Sequence, residues 1–137
     1  MIIDTSIIIH IALEEDYSEK SVEVLANFAN LRISTVSIVE AYAVLKSRNI
    51  VEPSILDELV KTLAIEILDF NSKQINLAKK AFEFYGKGQN NKAKLNFGDC
   101  LVYGLAKSRN EVLAFVGNDF NHTDLEVVRF PIEKNYF

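Results

Sequence analysis

Met1-Ile2-Ile3-Asp4-Thr5-Ser6-Ile7-Ile8-Ile9-His10-Ile11-Ala12-Leu13 is the stretch on which the fold turns. Its start is apolar and closes on the carboxylate of Asp4. Thr5 and Ser6 then lead a run that can wind as a helix through Leu13. The reading is strand, turn, helix, and the same unit recurs along the chain. Ser18 to Asn30 carries Val22, Leu25, Ala26 and Ala29 at helical spacing, with Ser18 as N-cap and Asn30 as stop. Leu31 to Ser34 is β-prone, and Ser34 or Thr35 can cap a helix running through Glu40 and Tyr42 to about Ser47.

Further on, Pro53 suits the first turn of a helix reaching about Leu63, and Ile65 to Leu68 reads as a strand. Asn71 to Tyr85 places Ile75, Ala78, Ala81 and Phe82 on one face of an amphipathic helix, followed by a linker rich in Gly, Lys and Asn. A helix from Phe97 to about Ser108, a strand from Val112 to Val116 closed by Gly117 and Asn118, and a strand from Glu126 to Phe130 complete the order. Strands alternating with one or two helices need crossover connections. They predict an α/β fold: three α/β/α layers around a central, mostly parallel sheet of about four to five strands.

A chain of 137 residues is long enough to bury a full core, and one domain spanning 1–137 is expected. With 49% hydrophobic and 25% charged residues it is too apolar to be disordered. The apolar run Ile7 to Ile9 is flanked by Asp4, Glu14, Glu15 and Asp16, which fits neither a signal peptide nor a membrane span, so a cytoplasmic protein is expected. The single Cys100 cannot form an internal disulfide, and no Cys/His spacing suits zinc.

The net charge of −4 argues mildly against a general nucleic-acid binder, since phosphate affinity comes largely from Lys and Arg. Its distribution answers part of that objection. Lys79, Lys80, Lys87, Lys92 and Lys94 face only Glu83 within Lys79 to Lys94, a local +4 that leaves −8 on the remainder. With Phe82, Phe84 and Tyr85 interleaved, this patch can hold an RNA backbone while an aromatic ring stacks on a base, although Phe82 is expected to face the core. The bland alternative is a solvated helix end with a mobile linker.

In open α/β sheets, side chains placed just after strands converge in one crevice. Asp4 and Asp119 occupy such positions, Glu40 lies about a turn and a half into the helix after the second strand, and Asp99 sits in the first turn after the Lys-rich linker. Each has a structural alternative: Asp4 can cap the next helix, Glu40 can sit on a solvated face, Asp99 can complement a helix N-terminus capped by Asn96, and Asp119 can be a turn residue. Together they amount to an acidic cleft. Clustered carboxylates stay ionised only beside cations, and Mg²⁺ or Mn²⁺ accepts oxygen ligands without His or Cys. Such an ion acidifies a bound water and stabilises charge on a phosphate.

Four segments carry a resemblance: Ile2-Ile3-Asp4-Thr5-Ser6, Ser34-Thr35-Val36-Ser37-Ile38-Val39-Glu40, Leu95-Asn96-Phe97-Gly98-Asp99-Cys100-Leu101-Val102-Tyr103 and Phe115-Val116-Gly117-Asn118-Asp119-Phe120. In this order they resemble the PIN-domain ribonucleases, and among those the VapC toxins of type II toxin–antitoxin pairs; Asn-Phe-Gly-Asp-Cys is the most specific stretch. The resemblance implies a PIN-like fold and a Mg²⁺- or Mn²⁺-dependent endoribonuclease in which water attacks phosphorus, leaving 5′-phosphate and 3′-hydroxyl ends. It makes Asp4, Glu40 and Asp99 the core acids, Asp119 the fourth and less uniform one, and Ser6 a hydroxyl supporting Asp4. It also implies an RNA substrate, a homodimer, and a cognate antitoxin whose tail covers the acidic groove, often with a basic residue. Lys87, Lys92 and Lys94 are the lysines expected on the RNA. Ile50 to Gly88 carries no motif.

His10 and His122, each without a second ligand at metal spacing, read as structural or surface residues, and Cys100 as a small buried apolar one. Asp124 reads as a turn or cap with Thr123, or else as an outer metal contact. Two other functions compete. A catalytically silent PIN-like module that binds RNA or protein would share the fold, but all four acids are present. An Asp-phosphoacceptor receiver-like domain wants adjacent early acids and a late lysine, whereas Asp4 has no acidic neighbour before Glu14 and the late strand closes on Gly117-Asn118.

Overall fold

Five strands and six helices alternate along residues 1–132, the part of the chain that the computed structural model describes. The strands are Ile2–Ile3 (β1), Arg32–Ser34 (β2), Glu66–Leu68 (β3), Leu113–Val116 (β4) and Val127–Phe130 (β5). The helices are Thr5–Ala12 (α1), Ser18–Ala26 (α2), Thr35–Arg48 (α3), Ile55–Thr62 (α4), Ser72–Tyr85 (α5) and Phe97–Arg109 (α6). The sheet runs β3-β2-β1-β4-β5 with every neighbouring pair parallel, the upper end of the expected strand number.

Strand alternation sorts the core onto the two faces. Ile3, Ile33 and Ala114 pack with α1 to α4, whereas Ile2, Leu113 and Phe115 pack with Ala81, Leu105 and Ala106 of α5 and α6. Both faces are thereby covered, which all-parallel strands require. The chain starts at the middle strand, winds out through β2 and β3, and returns to β4 on the other side of β1. The strand order therefore reverses between β1 and β4, and it is beyond the carboxyl ends of strands at such a point that open α/β sheets bind ligands.

Some expected boundaries move for identifiable reasons. Helix α2 stops at Ala26, where Asn27 turns its amide back onto the Glu23 carbonyl at 2.9 Å; Ser18 is buried in the first turn, and left-handed Tyr17 holds the N-cap position. Pro53 lies ahead of α4 rather than in it. On α5 the buried stripe is Gln74, Ala78 and Ala81, while Ile75 and Phe82 are 45% and 44% exposed, against the expectation that both face the core. The small residues explain this. Helix α6 approaches so closely that a Cβ on Gly104 would stand 2.6 Å from the Gln74 carbonyl oxygen, leaving no room for large side chains at the contact.

Candidate active site

Asp4 follows β1 directly, and its backbone N–H reaches across to the Ala114 carbonyl of β4 at 3.0 Å. It is the N-cap of α1: Oδ2 accepts from the Ser6 backbone N–H at 3.0 Å and from the Ser6 hydroxyl at 2.5 Å. The same hydroxyl accepts from the Val116 backbone N–H at 2.9 Å. Ser6 thus ties the carboxylate after β1 to the end of β4. Gly117, at φ +112°, then turns the chain towards Asn118 and Asp119, a conformation that L side chains rarely adopt.

Asp99 approaches from the other layer. Asn96 caps α6 by accepting from the Asp99 N–H at 2.8 Å, and Asp99 Oδ2 accepts from the Asn96 N–H at 3.0 Å, a reciprocal capping box. Glu40 projects from the second turn of α3, with its carboxylate against Gly98; a Cβ there would collide with Glu40 Oε2. Gly98 is therefore what lets α6 present Asp99 beside Glu40.

The structural alternatives for Asp4 and Asp99 are thus also true: Asp4 caps α1, Asp99 completes the capping box of α6, and both are buried. Each uses Oδ2 in these bonds, and among the described residues none of the side-chain hydrogen bonds engages Oδ1. Burial pushes the Asp99 carboxyl up to about 7; the Asn96 N–H opposes this, and the charges of Asp4, Asp119 and Glu40 add to it. Burial also raises Asp4 above the usual carboxylate range, opposed by the Ser6 bonds and reinforced by Glu40. The four acids therefore feel one another across one crevice. Glu40 and Asp119 are exposed.

As placed, no three Asp, Glu, His or Cys among the described residues stand close enough to hold one ion directly. The donor set nevertheless fits a hard divalent cation. It offers two buried carboxylates and two exposed ones, and no Lys, Arg or His among the described residues forms an ion pair with any of the four. Mg²⁺ retains several waters, so it tolerates few direct ligands and wider spacing than a closed cage.

Other expectations resolve simply. Cys100 is buried, and burial together with the Asp99 charge pushes its thiol up to about 11, so it acts as packing. His10 is buried between Ser21 at 3.0 Å and Glu15 at 3.1 Å. Asp124 is neither a metal contact nor a cap: it accepts from the Tyr103 hydroxyl and from Lys107 Nζ, both at 2.7 Å.

The lysine patch divides in two. Lys79 lines an apolar groove of about 510 Å³ with Phe70, Ile75, Phe82, Glu83 and Phe97, whereas Lys92 and Lys94 line a polar cleft with Asn90, Asn91 and His122. Neither Asn90 nor His122 stood out in the sequence. Only the meeting of two segments far apart in the chain distinguishes them, and that has no local signature.

The PIN domain model matches residues 1–126. Ribonuclease VapC28 of Mycobacterium tuberculosis is 41% identical over 127 residues, covering 92% of this chain and 96% of that protein. Ribonuclease VapC42 of the same species is 36% identical over 126 residues, covering 91% and 96%. Among solved structures, M. tuberculosis VapC20, described as a Sarcin-Ricin loop cleaving toxin, superposes with a TM-score of 0.71 at 13% identity, covering 93% of this chain and 98% of that one. The VapBC2 complex of Rickettsia felis, solved on a DNA fragment from its promoter, gives 0.66 at 17% identity, covering 93% and 96%. The structural likenesses speak to the fold.

Proposed function

The chain belongs to the PIN-domain family, and from that premise we propose that it is an endoribonuclease, the toxin of a toxin–antitoxin pair, working through Asp4, Glu40, Asp99 and Asp119 with Mg²⁺ or Mn²⁺. The observation that carries the metal site is the pair Asp4 and Asp99. Two buried carboxylates, each with one oxygen unengaged and with no cation paired to it among the described residues, stand at the point where the strand order reverses. A divalent ion there would offset the burial, and the lesser repulsion, that raise both groups.

When bound, the ion acidifies a coordinated water and stabilises charge on phosphorus. The protein's own part is positioning. Ser6 fixes Asp4, the capping box fixes Asp99, and Gly98 leaves Glu40 its place. Glu40 and Asp119, exposed and without hydrogen bonds or ion pairs among the described residues, would close on an ion or on a water between ion and protein. In the hydrolysis, the water oxygen bonds to phosphorus, the bond from phosphorus to O3′ breaks, and O3′ takes up a proton. The ends left are 5′-phosphate and 3′-hydroxyl. Lys87, Lys92 and Lys94 hold the backbone of the RNA.

The partners follow from the same reading. Solved relatives include VapBC complexes, and an antitoxin arginine or lysine entering the acidic crevice would neutralise it as a metal does. A homodimer is supported by the exposed apolar groove at α5 and α6, where Phe97 is 78% exposed beside Ile75 and Phe82. We take residues 1–137 as one domain, and place it in the cytoplasm; no helix among the described residues is long and apolar enough to cross a membrane.

The test is cleavage of single-stranded RNA with mapping of 5′ ends, comparing wild type with Asp99→Asn. Mg²⁺- or Mn²⁺-dependent ends absent from the variant are expected. Cleavage that persists in excess chelator, or identical end profiles from the two proteins, overturns the assignment.

A further inference from the structure

Asn90, Asn91, Lys92 and Lys94 on the loop before α6, and His122 on the loop after β4, line one cleft of about 580 Å³. That volume is ample for one nucleotide. Its lining holds amines, carboxamides and an imidazole but no carboxylate, in a chain whose net charge is −4.

The cleft is built on fixed supports. Lys87 N–H donates to the Leu95 carbonyl at 2.8 Å and Leu95 N–H to that of Tyr85 at 2.7 Å, closing the base of the loop. Inside it Asn91 is fully engaged, donating to the Gly86 carbonyl at 2.8 Å and accepting from the Lys94 N–H at 2.9 Å. Leu95 and Phe120, next to the two walls, are wholly buried, and Phe120 packs edge-on against Phe115. By contrast, the side chains of Asn90, Lys92, Lys94 and His122 form no hydrogen bond or ion pair among the described residues.

Position ties the cleft to the carboxylates. His122 lies three residues after Asp119, a separation of at most about 10 Å of chain, and Lys94 is two residues before the Asn96 that caps Asp99.

We propose that this cleft is a nucleotide subsite of the cleavage site, in which Lys92 and Lys94 hold a phosphate neighbouring the scissile one while His122 and Asn90 contact the base attached to it. This rests on the ribonuclease reading above. Unpaired amines beside an acidic crevice supply the attraction that the crevice itself denies to a polyanion. An imidazole offers a stacking face, and a free carboxamide both donates to and accepts from a base edge. The cleft then sets sequence preference at one position on one side of the cut.

The experiment has two arms. In the first, a randomised single-stranded RNA pool is cut with Mg²⁺ present by wild type, His122→Ala, Asn90→Ala and the Lys92→Ala/Lys94→Ala double variant, and product ends are sequenced. His122→Ala and Asn90→Ala are expected to flatten the preference at one nucleotide position and leave the others. The double variant is expected to raise KM at least tenfold with little change in kcat. In the second, a fluorescent single-stranded RNA oligonucleotide is titrated with Asp99→Asn protein across salt concentrations. Adding the lysine changes should lower the salt slope by about 0.7, the share of the one phosphate that the two amines hold.

Unchanged preference and KM, a wild type with no preference at any position, or an unchanged salt slope each overturns the subsite. If wild type does not cut at all, the ribonuclease reading fails. The binding arm still decides whether the cleft takes RNA.

Discussion

Replacing Asp99 by Asn should make the metal-free protein more stable while abolishing its activity. Asp99 is 9% exposed and its carboxyl is held at about 7, against 3.8 for a free one. Because the folded state holds the proton more tightly than the unfolded chain, no penalty exists below pH 3.8, where both are protonated. As pH rises from about 4 to about 7 the unfolded carboxyl ionises freely while the buried one resists, and folding stability is lost. A difference of about three pH units at ~1.4 kcal/mol each sets the full loss near 4 kcal/mol, reached at and above neutral pH. Asparagine resembles the neutral form and carries no such penalty, and its Oδ1 still accepts from the Asn96 N–H, so the capping box survives.

In chelator at pH 8, therefore, Asp99→Asn should melt roughly 10 °C above wild type, an advantage that shrinks towards zero at pH 4. Adding Mg²⁺ should raise the wild-type melting temperature, since an ion that binds only the folded state stabilises it, and leave the variant nearly unmoved. Differential scanning calorimetry on both proteins across pH reads all of this, with common titrations cancelling in the difference. If in chelator at pH 8 the variant is no more stable than wild type, or if its advantage is the same at pH 4, Asp99 is not a strained carboxylate and the metal site loses its main support.

Three further substitutions probe the positioning of the acids. Gly98→Ala should displace the Glu40 carboxylate it would collide with, lowering cleavage and raising the Mg²⁺ requirement at least tenfold while the melting temperature holds or rises slightly; Mg²⁺ titration beside a thermal melt checks both. Ser6→Ala leaves the Val116 N–H without its acceptor and Asp4 without its tie, so about 1–2 kcal/mol of stability in urea unfolding and some 10–100-fold in cleavage should go. Gly104→Ala should do the reverse of Gly98→Ala: its Cβ meets the backbone of Gln74, costing about 1–3 kcal/mol by urea unfolding, with per-molecule cleavage by the folded fraction unchanged.

What the sequence disclosed, and what it withheld, follows from the range of the forces involved. Asp4 and Asp99 were legible because each belongs to a local pattern, strand-Asp-Thr-Ser-helix and Asn-x-x-Asp, whose capping bonds close within a few residues. The mostly parallel sheet was legible because alternation of strand and helix favours crossover connections. The α5 face was misread because a spacing of three and four does not say which residues meet the neighbour. The answer lay in Gly104, on a different helix, which admits only Ala78 beside it and leaves Ile75 and Phe82 outside. Asp124 was misread for a similar reason, since Lys107 and Tyr103 claim it from α6. The same logic bears on the site. Asp4 and Asp99 stand out in sequence because each is held by its own turn of chain, whereas Glu40 and Asp119 have no such local frame. Asn90 and His122 likewise lack a local frame and become visible only once the two loops are brought together.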